Sequence, residues 1–387
     1  MKIAVITIYF LCLTLIFIFS LFQVQLAVLY LKNRKKRKSG SISSGTGQSA
    51  PFVTIQLPLY NEVYVANRLL DCVSAIDWPT DKFEIQVLDD STDETSEIVQ
   101  TKLAELNKRE INTRYIQRTE RDEYKAGALR NGLLTARGDF IAIFDADFLP
   151  DPDFLKKTLP HFEDSRIGAV QTRWGHINRD YSILSRLQAF ALDVHFTIEQ
   201  AGRNSKDYFI NFNGTAGVWR KDAIIDAGNW QGDTLVEDLD LSYRAQIRGW
   251  KIKYLEDVVT PAELPVEFNA IKNQQFRWIK GGAQNFIKNS SSVLNARLPF
   301  LTKVNALFHM LNSSVFILTF LIAALSYPVF LVQVNYPEFN IVFSIGSVFM
   351  LTTLFIMSYY AVAFFASGRK ALFTEHLNSI FCQKRTT

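Results

Sequence analysis

No charged side chain occurs between Ile3 and Leu31, and the cluster Lys32, Arg34, Lys35, Lys36, Arg37, Lys38 follows at once. The apolar run exceeds the roughly 20 residues a helix needs to cross about 30 Å of hydrocarbon, so it predicts a membrane span over 3–31. A cleavable leader would carry its charge ahead of an apolar core of about 7–15 residues, the reverse of this order. Basic residues beside a span stay on the cytoplasmic side, which predicts that the next residues are cytosolic. Residues 32–50 read as a basic, flexible linker, with SGSISSGTG over Ser39–Gly47 of the Gly/Ser type that behaves as a coil.

From 51 to 297 the pattern is that of a globular domain. Short apolar runs rich in β-branched residues (Phe52–Leu57, Phe83–Leu88, Phe140–Phe144, Ile167–Thr172) alternate with helix-period segments at Val63–Ile76, Glu94–Lys108 and Tyr124–Ala136. That alternation predicts an α/β domain with a mostly parallel sheet, which binds ligands at the carboxyl ends of its strands. Beyond Lys303 two more uncharged stretches, 304–334 and 339–367, are broken by a short turn at Asn335, Pro337 and Glu338. They predict a helical hairpin with spans at 311–334 and 339–367. A possible interfacial helix precedes it at 298–310, where Arg297 and Lys303 sit among Leu, Phe and Val, though direct insertion into the membrane fits as well. Lys303, Arg369 and Lys370 flank the hairpin while its turn has no Lys or Arg, so 368–387 is expected to be a cytoplasmic tail.

Composition narrows the function. A chain that is 48% hydrophobic, with 31 Phe and a net charge of only +4, fits a membrane protein and gives no support to a nucleic-acid partner. Cys12, Cys72 and Cys382 form no C-x-x-C pair, and the five histidines show no H-x-x-x-H spacing. Both facts argue against a zinc site or a disulfide framework.

The candidate chemistry is acidic. IQVLDDSTD (Ile85–Asp93) ends a strand in two carboxylates; Asp90 can accept from a ribose hydroxyl or base N–H, while the same turn also suits helix capping. FIAIFDADF places Asp145 and Asp147 two residues apart, on one face if extended. Two such carboxylates suit Mg²⁺ shared with a diphosphate, or are simply two exposed loop aspartates ahead of Pro150. Lys125, in YKAGALRNG, either adds a cation against those phosphates or is solvated. Glu237, Asp238 and Asp240 fill the first turn of a helix predicted within Gly232–Trp250. They serve its dipole, or one is a general base. In NQQFRW, Gln274, Arg277 and Trp278 fall on adjoining helical turns; Arg277 suits diphosphate oxygens and Trp278 the C–H face of a sugar, against a plain surface arginine and buried aromatic. FNGTAG (Phe212–Gly217) is small enough for close backbone approach, or simply a tight turn.

The order DD, DAD, ED, then Q-x-x-R-W before membrane spans resembles the processive family 2 glycosyltransferases, the cellulose-synthase-like group, over roughly Pro51 to Gly282. QVLDDSTDET, FNGTAGVWR, VEDLDLSYRAQIRGW and QQFRW are similar to its mannan and xyloglucan-backbone synthase branch. The resemblance implies an α/β, Rossmann-like GT-A domain with three transmembrane helices, inversion at the anomeric carbon, and a divalent cation, Mg²⁺ or Mn²⁺. By it Asp90 contacts the nucleotide, Asp145 and Asp147 the metal-bound diphosphate, and Asp238 is the base. Gln274, Arg277 and Trp278 would hold the diphosphate and the acceptor end, with Asn213 and Thr215 lining the acceptor site. Expected partners are a nucleotide sugar (UDP-glucose or GDP-mannose), a glycan or lipid acceptor, and the bilayer of an inner, plasma or Golgi-type membrane. Three spans are fewer than polymer-secreting relatives carry, so the expectation is that additional membrane subunits complete a channel, that the chain is a shortened one, or that no long polymer is exported through it. The competing readings are a glycolipid-forming glucosyltransferase and a catalytically silent nucleotide-sugar-binding scaffold.

Overall fold

The computed structural model of the chain describes residues 2–37 and 50–366. The Ser39–Gly47 linker and the tail at 368–387 lie outside the described residues.

Seven strands form one sheet: β1 Val53–Leu59, β2 Phe83–Asp89, β3 Thr113–Gln117, β4 Phe140–Ile143, β5 Ile167–His176, β6 Gly217–Arg220 and β7 Lys251–Ala262, in the order β3-β2-β1-β4-β6-β5-β7. The apolar runs Val53–Leu57 and Phe83–Val87 are buried on both faces because helices cover both sides, as parallel strands require. The first four strands in this order are mutually parallel, with Val53 opposite Phe83 and Phe140. β6 runs antiparallel to both β4 and β5, and β5 and β7 are again parallel. The sheet is therefore mixed. Reversal of β6 decides the site, because Gly217 pairs with Ile143 and so brings the preceding loop, Asn213–Ala216, to the edge where β1, β2 and β4 end.

The helices Ala66–Ser74, Thr95–Lys108 and Tyr124–Thr135 match the three predicted segments to within a few residues. Glu237–Ile247, the acidic helix, is followed after β7 by a 28-residue helix, Phe268–Asn295. The helix Phe300–Met310 packs back on these two. Ala306 and Met310 join Phe209, Tyr243 and Val293 in a small second core, and the Tyr243 hydroxyl lies 3.0 Å from the Ala306 carbonyl. The segment for which an interfacial helix and direct membrane entry were both expected thus packs, over Phe300–Met310, on the helices beside the sheet.

By its internal packing the chain divides into two units. One, Lys36–Ala189 with Asp207–Met310, holds the sheet; the other comprises Met1–Lys35, Phe190–Lys206 and Leu311–Thr387. Among the described residues three helical stretches are long and apolar enough to cross a membrane: Lys2–Arg34, Phe300–Asn335 and Pro337–Ala366. Within the second unit, Phe10 and Phe17 pack on Phe349, with ring centroids 6.1 and 5.8 Å apart. Lys2 Nζ stands 3.1 Å from the Tyr336 ring centroid, so the chain start and the hairpin turn share one end of that unit.

Candidate active site

At the end of β2 the two aspartates part. Asp89 is fully buried, accepting from the Ser91 amide (2.9 Å), the Ser96 hydroxyl (2.6 Å) and the Tyr115 hydroxyl (2.8 Å); it holds the turn. Asp90 points to the sheet edge, where both carboxylate oxygens accept from Arg118, through Nε at 2.9 Å and through Nη2. Arg121 lies 4.0 Å from the same carboxylate and stacks on Tyr60, 3.2 Å from the ring centroid. Tyr60 lies in the polar loop that follows β1, whereas nothing in the local sequence pattern ties Arg118 and Arg121 to the end of β2.

After β4, the Asp145 amide donates to the Thr215 hydroxyl at 2.9 Å, and its carboxylate accepts from Lys125 at 2.5 Å. Lys125 also donates to the Gly214 carbonyl at 3.0 Å. Burial draws protons off Lys125, yet the charges of Asp145 and Glu237 outweigh it and hold the ammonium on. Asp147 is pushed up to about 7 by burial, then by Asp145 and Glu62. Glu62 is itself raised by burial and by Asp145 and Asp93. The carboxylates at this edge thus carry more negative charge than Lys125 offsets, and a divalent cation at Asp145 and Asp147 fits that excess.

The acidic helix supplies the third group. Asp238 Oδ1 accepts from the Leu239 amide at 2.8 Å, and burial followed by the Glu237 charge pushes the carboxyl up to about 7. Glu237 is raised by burial against the opposing pull of Lys125. A methyl group on Gly214 would lie 3.1 Å from Asp238 Oδ2 and 3.4 Å from Lys125 Nζ, so the bare glycine is where Asp238, Lys125 and, through Lys125, Asp145 converge. Asp240 goes elsewhere. It is fully buried and accepts from Arg244, Asn289 (2.9 Å) and Lys288 (3.0 Å).

Gly281 of the long helix packs on Val236, leaving no room for a Cβ, and Gln284 accepts from the Leu235 amide at 3.0 Å. This fixes the helix against the start of the acidic one. Arg277 is exposed and near enough to Glu237 to stabilise its charge. Gln274 and Trp278 are half-buried one turn apart. Asn213 is half-buried; its amide donates to Gln171 and its side chain accepts from Asn211. Thr215 is 1% exposed, its hydroxyl engaged behind Asp145.

The sequence profile of glycosyltransferase-like family 2 matches residues 50–281, more than half of the chain. The chain belongs to that family. This family 2 protein is 37% identical over 349 residues to glucomannan 4-beta-mannosyltransferase 7 of Arabidopsis thaliana, covering 86% of its own length and 62% of that relative. It is 42% identical over 264 residues to glucomannan 4-beta-mannosyltransferase 1 of Cyamopsis tetragonoloba, covering 67% and 50%. The family 2 chain thus spans between half and about three fifths of these curated relatives. Its fold is that of a mannosyltransferase from Pyrobaculum calidifontis solved with GDP-Man and Mn²⁺, at a TM-score of 0.64, 19% identity, and 95% and 99% of the two chains. The GT-A type of fold that the resemblance implied is therefore the observed one.

Proposed function

We propose that this family 2 protein is a membrane-bound, inverting mannosyltransferase that moves mannose from GDP-mannose onto the growing end of a β-linked glycan, with its catalytic unit facing the cytosol. The observation that carries the reading is the convergence at Gly214 of Asp238, Lys125 and, through Lys125, Asp145. The donor is chosen over UDP-glucose on the relatives, glucomannan 4-beta-mannosyltransferases by name.

In this reading Asp238 takes the proton of the acceptor hydroxyl as its oxygen attacks the anomeric carbon, and the bond from that carbon to the diphosphate breaks with GDP leaving. A carboxyl held near 7 is matched to that task, since a base must be ionised yet still bind a proton. Lys125 and Arg277 carry positive charge to the departing diphosphate. Trp278 offers its face to a sugar ring, Gln274 and Asn213 their amides to acceptor hydroxyls, and Asp90 with Arg118 their polar edge to the nucleotide. Thr215 acts from behind by fixing the Asp145 backbone. Among the described residues no three His, Cys, Asp or Glu side chains form a metal cluster. Asp145 and Asp147 would hold Mg²⁺ or Mn²⁺ with phosphate oxygens completing its shell. The cation would offset charge building on the diphosphate.

The test is transfer of label from GDP-mannose by membranes carrying the wild type and Asp238→Asn. A wild type that transfers and a variant that loses at least a hundredfold is the expected pair. Equal rates would remove Asp238 from the chemistry, and transfer from UDP-glucose alone would replace the donor.

A further inference from the structure

We propose that Gln171, on β5, is a positioning residue that sets the placement of the base Asp238 relative to the diphosphate-side carboxylate Asp145. The inference rests on the reading above. Gln171 is fully buried and spends both ends of its amide on one loop. Its oxygen accepts from the Asn213 amide at 2.8 Å. Its nitrogen donates to the carbonyls of Thr215 and Ala216, each at 3.1 Å, and to Thr172 at 2.9 Å.

The loop it clamps cannot hold its shape unaided. Gly214 sits at φ +78° and Ala216 at φ +55°, the second a left-handed conformation that is strained for a residue with a Cβ. Such backbone persists where surroundings over-determine it. Ala216 is held by the Gln171 amide, by the Thr172 amide (3.1 Å) and hydroxyl (2.7 Å) at its carbonyl, and by the Ile143 carbonyl (2.9 Å) at its N–H. One end of the loop touches Asp145 through Thr215. The other reaches the acidic helix, where the Phe212 amide donates to Ser242 at 2.9 Å and Ser242 donates to the Asp238 carbonyl at 2.6 Å. Asp145 and Asp238 thus come from different elements, and the loop between them is shaped by a side chain that reaches neither.

The experiment compares Gln171→Met, similar in volume but unable to bond, and the milder Thr172→Val with wild type. Steady-state rates are taken with a panel of GDP-mannose, GDP-glucose and UDP-glucose, and GDP affinity and thermal unfolding are measured on the same samples. The expected result for Gln171→Met is a kcat lower by about ten- to a hundredfold, the scale of a misplacement approaching 1 Å, with donor KM and GDP affinity within about threefold. Thr172→Val should fall in the same direction by less. A Gln171→Met protein with wild-type kcat overturns the clamp alone. A loss matched by equal loss of GDP binding or of folded protein also overturns it, since that is what a merely structural glutamine gives; if Gln171→Met does not fold, Thr172→Val decides by the same criteria. A wild type inactive with every donor overturns both the clamp and the reading beneath it.

Discussion

Substituting Gly214 by alanine perturbs the centre of the site by one methyl group. The new Cβ lies 3.1 Å from Asp238 Oδ2 and 3.4 Å from Lys125 Nζ. The second is ordinary contact, while the first forces the carboxylate back by roughly 0.3–0.5 Å to reach normal carbon–oxygen separation. If about 1 Å of misplacement costs about a hundredfold, this fraction scales to a fall of roughly four- to tenfold in kcat. The backbone adds its own effect, because φ is +78° and alanine there costs about 1–2 kcal/mol. For a domain of this size that corresponds to a Tm lower by roughly 2–8 °C. The assay is labelled-mannose transfer at saturating GDP-mannose, normalised to folded protein, beside a thermal unfolding curve. A variant with kcat within twofold of wild type would show that Gly214 does not sit between base and diphosphate.

Three further outcomes are expected. The Asp238 carboxyl is held above its ordinary value, near 7, and works as a base only when ionised, so log(kcat/KM) should fall with a slope of at least one as pH drops below about 7; a profile flat to pH 5 would contradict the assignment. Lys288 donates to Gln231 and Asp233, both at 2.7 Å, and reaches the buried Asp240 at 3.0 Å. Lys288→Met should destabilise by about 1–3 kcal/mol, the lysine being partly exposed and Arg244 still pairing Asp240, and an unchanged unfolding midpoint would remove it from that network. Chelation by EDTA should abolish transfer and added Mn²⁺ or Mg²⁺ restore it, whereas full activity in EDTA would show that Asp145 and Asp147 need no cation.

The parts of the candidate site legible in the sequence were those encoded in one short stretch. A β-branched run ending in Asp145 and Asp147 announces a buried strand delivering two carboxylates to its end, and β4 stops at Ile143, just before them. What one dimension hides is which acidic residue turns inward. On a helix, positions 238 and 240 point about 200° apart, so Glu237, Asp238 and Asp240 read alike until the packing of Lys288, Asn289 and Arg244 claims Asp240 for the interior. The pair Asp89 and Asp90 divides for the corresponding reason, successive strand residues facing opposite ways. Reversal of β6 was not legible because its four residues, Gly217–Arg220, are too few to carry a period. With it went any view of Gln171, whose role depends on a loop 42 residues away in sequence. Asp90 and Arg118 meet across the β2–β3 crossover, a contact that topology creates and no spacing announces.

The acceptor and the donor are both read from the product. Membranes carrying the chain are incubated with labelled GDP-mannose and Mn²⁺, and the material is separated into an organic phase and a polymer fraction treated with endo-β-1,4-mannanase. Labelled polymer that the mannanase releases is the expected product. Label confined to the organic phase, or polymer made only from UDP-glucose, would contradict mannosyl transfer onto a β-linked glycan.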